Sequence, residues 1–391
     1  MVNHKKAIGT GLLLGLAAGA LWAVGRRYAH TSPRLINWQQ VRRIAIATCR
    51  QSVVGQPFSK GPLTASFADM VHQSERLIAN YTGSTLPQPL QSIHVFDRIE
   101  WIDANIAAFQ LLFEPFERLN EKAFESTSGG ARVVGGLNQV VLSGQLGLLV
   151  GYLAQRVLGQ YDLSLLGREP ITSGHLYFVE PNIRGLQQRL GLEPQEFRMW
   201  IALHETTHAY EFEAHPWLRR HMNSLLSRYF ESISADFMHA GSNGSGLHTM
   251  ARRIGANLFR GGNVLELLMT SEQRHIFHQL QSLMCLLEGY SNHIMQYVGK
   301  SLLPSYDYLK ERFDERARNK SVGERLFAKI TGLDIKMEQY SLGERFVNEV
   351  VSRRGIDFMN RVWESSIGLP TMQEVRDPAR WIRRMERMAV A

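Results

Sequence analysis

Along most of the chain apolar side chains recur every three to four positions, the period of a helix with one buried face. Residues 97–116 place Trp101, Ile102, Asn105, Ile106 and Phe109 on such a face, with Asp97, Arg98 and Asp103 suited to capping and ion pairing. Pro194 can open a helix after Glu193, Phe197, Trp200, Ile201 and Leu203 carry it forward, and Pro216 stops it. Residues 38–81 read as helices parted by a loop around Gly55 to Pro62, and a polar loop with Pro87 and Pro89 follows. The last third repeats the helical pattern over 306–318, 321–331, 335–353 and 377–388. Only residues 175–179, short, aromatic and apolar between Gly174 and Pro181, read as a strand. The chain is therefore expected to be mainly α, with a small strand element.

Two apolar runs are long enough to raise the question of a membrane. Residues 7–25 carry no charge and lie between Lys5-Lys6 and Arg26-Arg27, a length that just spans a bilayer as a helix. Gly11, Gly15 and Gly19 form a small-residue stripe on which a second helix can pack, which leaves a homo-oligomer open. A retained anchor within residues 1–30 is the expectation. A signal peptide cut near Ala18-Gly19-Ala20 and a buried soluble helix are the alternatives. The cations that follow the run, Arg26, Arg27, Arg34, Arg42 and Arg43, favour a cytoplasmic body. The second run, 140–158, includes Gln145 and Gln155 and reads instead as a core helix whose Gly144, Gly147 and Gly151 admit close neighbours. Residues 126–136 and 240–262 are rich in glycine and read as loops, the latter either a lid or a surface loop.

The 391 residues suffice for one large domain over 31–391, and 44% hydrophobic with 20% charged residues excludes bulk disorder. A net charge of +8 is spread without any nucleic-acid-binding signature, so no nucleic acid partner is expected. Cys49 and Cys285 are the only cysteines and read as free thiols.

The chemistry is concentrated in His204-Glu205-Thr206-Thr207-His208. Residues four apart share a helix face, so His204 and His208 can each offer an imidazole to one metal ion. Glu205 then sits at the edge of that face, where a general base for water belongs. A third histidine after a glycine turn is excluded, because the positions concerned are Glu211 and Ala214, and His215 is one step off. The other common solution is a glutamate from a downstream helix. Glu288 stands in the apolar stretch 282–295, where an unpaired carboxylate would be costly to bury and a metal would remove the cost. Asn292, one turn on, is expected to orient a ligand through a hydrogen bond. The constellation implies a metal, Zn2+ by expectation, held by His204, His208 and Glu288, with Glu205 catalytic and a peptide or protein as substrate.

Together with Leu287-Glu288-Gly289 and Gly343-Glu344-Arg345-Phe346-Val347, this stretch resembles the bacterial zincin-like metallopeptidase type 2 family, some of whose members are labelled deazaflavin-coenzyme biosynthesis-associated. The resemblance extends to residues 97–105, 159–162, 176–179, 216–219 and 369–371, and covers roughly 36 to 385. It implies a zincin-like, mainly helical, zinc-dependent hydrolase domain. By resemblance, the strand at 175–179 would be an edge beside the active-site helix that pairs with an extended peptide, and Tyr340 or Arg345 would stabilise an oxyanion. The family usually has an acidic residue where this chain has Asn292, and its members are expected to be soluble. An inactive zinc-binding, membrane-associated scaffold and a hydrolase or maturation factor in cofactor metabolism remain as alternatives.

Overall fold

The computed structural model describes residues 34–50, 58–125, 129–161, 174–242, 269–318 and 334–390. The chain divides into two compact units. Within the first lie α1 (Trp38–Arg50), α3 (Arg98–Glu125) and α4 (Gly129–Ala154). α4 packs on α1 at its glycines. A β-carbon on Gly147 would come within 2.8 Å of Ile44, and one on Gly151 within 2.7 Å of the Ala45 carbonyl oxygen. α3 begins with a reciprocal cap in which Asp97 Oδ1 accepts from the Glu100 amide and Glu100 Oε2 accepts from the Asp97 amide, both at 2.8 Å. Arg42 donates to Asp103 at 2.6 and 2.9 Å. Capping and ion pairing thus account for Asp97 and Asp103, as their spacing suggests.

Two expectations change here. Residues 129–136, read as loop from their glycines, belong to α4, since the helix penalty of glycine, about 1 kcal/mol each, is small enough for the rest of a long helix to carry. α4 is also not buried all round. Ser143, Val150 and Ala154 face inward while Val141 and Leu148 are exposed. Among the described residues no helix is long and apolar enough to cross a membrane. The run 7–25 lies outside the described residues, as do 243–262 of the glycine-rich segment and the expected helix 321–331.

The second unit contains the three-stranded sheet and the remaining helices. Strand order is β1 (Ser92–Phe96), β3 (His175–Val179), β2 (Gly159–Tyr161). β2 and β3 run antiparallel in the register Gly159↔Phe178, Gln160↔Tyr177, Tyr161↔Leu176. The strand expected at 175–179 is present with those bounds, but it is central, and β2 takes the edge position. Behind the sheet Phe67 of α2 (Lys60–Thr82) stacks on Phe178 at 4.0 Å and 8°. From β3 the chain enters α5 (Glu180–Leu190), α6 (Pro194–Glu213) and α7 (Pro216–Ser242).

α6 starts as its sequence dictates. Glu193 caps it by accepting from the Glu196 amide, and Pro194 fills the first turn. α8 (Ser271–Ile294) starts with a capping box between Thr270 and Gln273 and runs into a π-helical turn, Met295–Gly299. α9 (Tyr306–Arg318), α10 (Asp334–Arg354), α11 (Ile356–Asn360), α12 (Met372–Arg376) and α13 (Pro378–Val390) complete the unit. α8 packs against α6, α7 and α10. Its crossing with α10 is made by glycines, since a β-carbon on Gly289 would lie 2.2 Å from the Gly343 carbonyl carbon. Trp381 and Phe346, both fully buried, close the core at 5.6 Å edge to face. Cys49 and Cys285 are free and buried.

Candidate metal centre

α6 carries His204, Glu205 and His208, and α8 supplies Glu288. The helix pitch sets the imidazoles 4.8 Å apart and nearly perpendicular, at 85°. Each ring is held from outside. Ser291 Oγ lies 2.9 Å from His204 Nδ1, and Glu211 Oε2 lies 2.8 Å from His208 Nδ1. Both Nε2 atoms therefore point inward, 4.0 and 3.9 Å from Glu288 Oε2. One atom from each of the three residues falls within 4.8 Å of the others. Donors about 2.1 Å from a tetrahedral zinc ion sit roughly 3.4 Å apart, so these contacts, too long for hydrogen bonds, suit an ion between them after a small contraction.

Electrostatics argue the same way. Three carboxylates, Glu205, Glu211 and Glu288, converge on two imidazoles. Glu211 is fully buried, and its Oε1 has no hydrogen-bond partner. A divalent cation would offset that crowding of negative charge. Among the protein groups alone, burial pushes Glu205 up to about 7, with Glu288 adding to the rise while His208 and the Tyr161 backbone oppose it. Burial lowers His204 to about 3, helped by His208. Burial also works against a charge on His208, yet Glu211 outweighs it and draws the proton onto that ring.

Glu205 is placed by β2. The backbone of Tyr161 hydrogen-bonds its carboxylate, and Gly159 leaves room for its methylenes, where a β-carbon would come within 2.6 Å of Glu205 Cγ. The Tyr161 hydroxyl donates to Glu213 Oε1, and Arg219 donates to both groups at 2.7 and 3.0 Å. Strand β2, the end of α6 and the start of α7 are thereby tied together. Of the stretches 159–162 and 216–219 singled out in the sequence, Tyr161 and Arg219 meet at this point.

A cavity of about 490 Å3 opens beside Glu205 and His204. Asn292 lines it and does not touch the imidazoles as expected; the residue one position earlier, Ser291, takes that role. Arg345 is exposed and donates to the Arg376 carbonyl oxygen at 3.2 Å, which removes it from the site. Its neighbour Glu344 faces the cavity, paired with Lys310 at 3.0 Å. The side chain of Tyr340 lies outside the described residues. Sequence reasoning therefore located His204, Glu205, His208 and Glu288 together and missed Glu211, Ser291, Gly159 and Lys310. The signal for Glu211 was present, three residues after His208 on the same helix face.

A mainly helical fold in which two histidines one turn apart meet a glutamate from a second helix, with a buried carboxylate beside them, defines a hydrolase that works with a metal. Residues 36–382 match the model of the zincin-like metallopeptidases, and the chain belongs to that family. Among solved structures it is similar to a protein from Chloroflexus aurantiacus, described as a proposed hydrolase with a novel fold. The two share 41% identity over 90% of this chain and 99% of that one, with a TM-score of 0.66. No curated protein matches the chain.

Proposed function

We propose that the chain is a zinc-dependent peptidase in which His204, His208 and Glu288 hold the ion and Glu205 moves the proton. The observation that carries this reading is the inward convergence of both Nε2 atoms on Glu288, with each Nδ1 engaged outside. Zinc bound there supplies Lewis acidity towards the scissile carbonyl and lowers the pKa of water towards about 7. Glu205, held near neutrality by burial, can take a proton from the attacking water and return it to the leaving amine. Tyr161 and Gly159 fix the carboxylate for both transfers, while Glu211 and Ser291 fix the rings.

The edge of β2 favours a peptide over other acyl compounds. Val179 donates to the Leu158 carbonyl oxygen at 2.8 Å. In an antiparallel pair the next residue turns its main-chain groups away, so the N–H and C=O of Gly159 face outward beside Glu205. An extended chain can pair with them and lie across the site. We also propose that residues 7–25 tether the protein to a membrane with its body on the cytoplasmic side, supported by the uncharged run and the arginines that follow it.

The test compares metal content and peptide cleavage in the wild type, Glu205→Gln, His208→Ala and Glu288→Ala. Near-stoichiometric zinc in the first two only, with cleavage in the wild type only, is the expected result. A folded wild type that takes up no supplied zinc would rule the reading out. Zinc without cleavage of any peptide would leave the scaffold alternative. Membrane fractionation of the full chain against one lacking residues 1–26 decides the tether.

A further inference from the structure

The cavity next to the ion site has an apolar wall along one part of its lining. Leu158, Trp200, Ile201, Met295, Tyr306 and Phe313 form it, and Ile201, Met295 and Tyr306 are otherwise buried. Trp200 and Phe313 meet edge to face at 4.1 Å, with the fully buried Phe197 behind Phe313 at 5.8 Å. The wall is formed in advance. Glu196 of α6 accepts from the Ser305 amide at 2.9 Å and so anchors the start of α9, which brings Tyr306, Lys310 and Phe313. Gly299, where a β-carbon would lie 3.1 Å from the Tyr306 ring, lets that ring close in. The volume of about 490 Å3 lies within the range of about 300–1,000 Å3 usual for ligand pockets.

Away from His204 and Glu205, the polar groups that line the cavity are Asn292, Ser341 and one charged pair that is internally neutral. Lys310 and Glu344 bind each other at 3.0 Å. A carboxylate or ammonium entering the cavity would have to break that pair or lose its hydration against aromatic carbon. An apolar group meets neither cost.

We propose that this cavity is the specificity pocket of the enzyme, and that it takes a bulky apolar side chain, aromatic or long aliphatic, flanking the scissile bond and excludes charged ones. The proposal rests on the peptidase reading, because Glu205 and His204 line the same cavity.

Binding is measured by calorimetry on full-length, zinc-loaded Glu205→Gln protein, which holds peptide without turnover. The probes are acetylated, amidated alanine peptides with one central residue varied among Ala, Leu, Phe, Asp and Lys. Leu and Phe peptides are expected to bind on the order of tenfold or more tighter than the Ala peptide, and Asp and Lys peptides no tighter than Ala. Adding Met295→Trp or, as the smaller change, Ile201→Phe fills the cavity and is expected to erase the preference. Peptides that all bind within about threefold of one another, no measurable binding by any of them, or a preference that survives filling would overturn the proposal. Cleavage by the wild type is scored separately. Preference without cleavage upholds the pocket and sinks the peptidase reading, and cleavage without preference does the reverse.

Discussion

A β-carbon at Gly159 would stand 2.8 Å from Glu205 Oε1 and 2.6 Å from its Cγ, so the strand and the buried carboxylate fit together only with glycine at this position. Gly159→Ala is therefore expected to displace Glu205 while leaving His204, His208 and Glu288 in place. Zinc content should be unchanged and kcat should fall by roughly a hundredfold, the usual consequence of misplacing a catalytic group by about an ångström. Unchanged kcat in a zinc-loaded variant would show that Glu205 does not depend on β2.

Glu211 grips His208 at 2.8 Å from a fully buried position, and Ser291 holds His204 at 2.9 Å. Neither reaches the ion site, so each acts through the ring it orients. Glu211→Gln is expected to weaken zinc affinity by about 10–100-fold, measured by competition with a chelator. Ser291→Ala should weaken it less, because an uncharged contact is lost. Affinity unaltered in both would mean that helix geometry alone orients the imidazoles.

These positions show what was legible in the sequence. The two histidines and Glu205 follow from the pitch of one helix, and Glu288 from the cost of an isolated carboxylate among apolar residues. The strand at 175–179 was readable from its aromatic alternation between Gly174 and Pro181. Its place in the sheet was not, because strand order depends on β2, three residues long and without a pattern of its own. Ser291 and Asn292 both fall near the inner face of α8, and only the actual rotation of that helix against α6 decides between them. The glycines of 129–136 suggested a loop because local propensity weighs each residue by itself and not the length of the helix that they open.

At the crossing of α8 and α10, a β-carbon on Gly343 would lie within 2.8 Å of the Cys285 carbonyl carbon, in collision with its oxygen. Gly343→Ala must force the helices apart, which is expected to cost about 1–3 kcal/mol in urea denaturation. Because Glu288 rides on α8 between Cys285 and Gly289, the same variant should bind zinc more weakly. Full zinc affinity with reduced stability would separate the packing role from the seating of Glu288.

His215 stacks on Trp363 at 5.5 Å and 11°, and burial pushes its pKa down to about 4. The unfolded chain takes up this proton near pH 6.5, before the folded protein does. The associated stability is present above about pH 6.5 and is lost as pH falls towards about 4. His215→Gln should lose less stability than the wild type across that window, compared by urea midpoints at intervals of pH. Parallel curves for the two proteins would assign the acid sensitivity elsewhere.

The glycine contact between α8 and α10 also bears on when the enzyme comes into being. His204, Glu205, His208 and Glu288 have all left the ribosome before Gly343 is added, and until α10 arrives the helix bearing Glu288 has, among the described helices, only α6 and α7 to pack on. A nascent chain then carries the complete donor set without the support of α10, and hydrolytic competence is expected to be deferred until synthesis is nearly finished. A chain ending before residue 334 is accordingly expected to bind zinc far more weakly than the whole protein and to cleave nothing. Full occupancy in that fragment would show that the two ligand-bearing helices assemble without α10. On the proposed peptidase reading, such a delay would keep an unfinished chain from attacking its own unfolded segments.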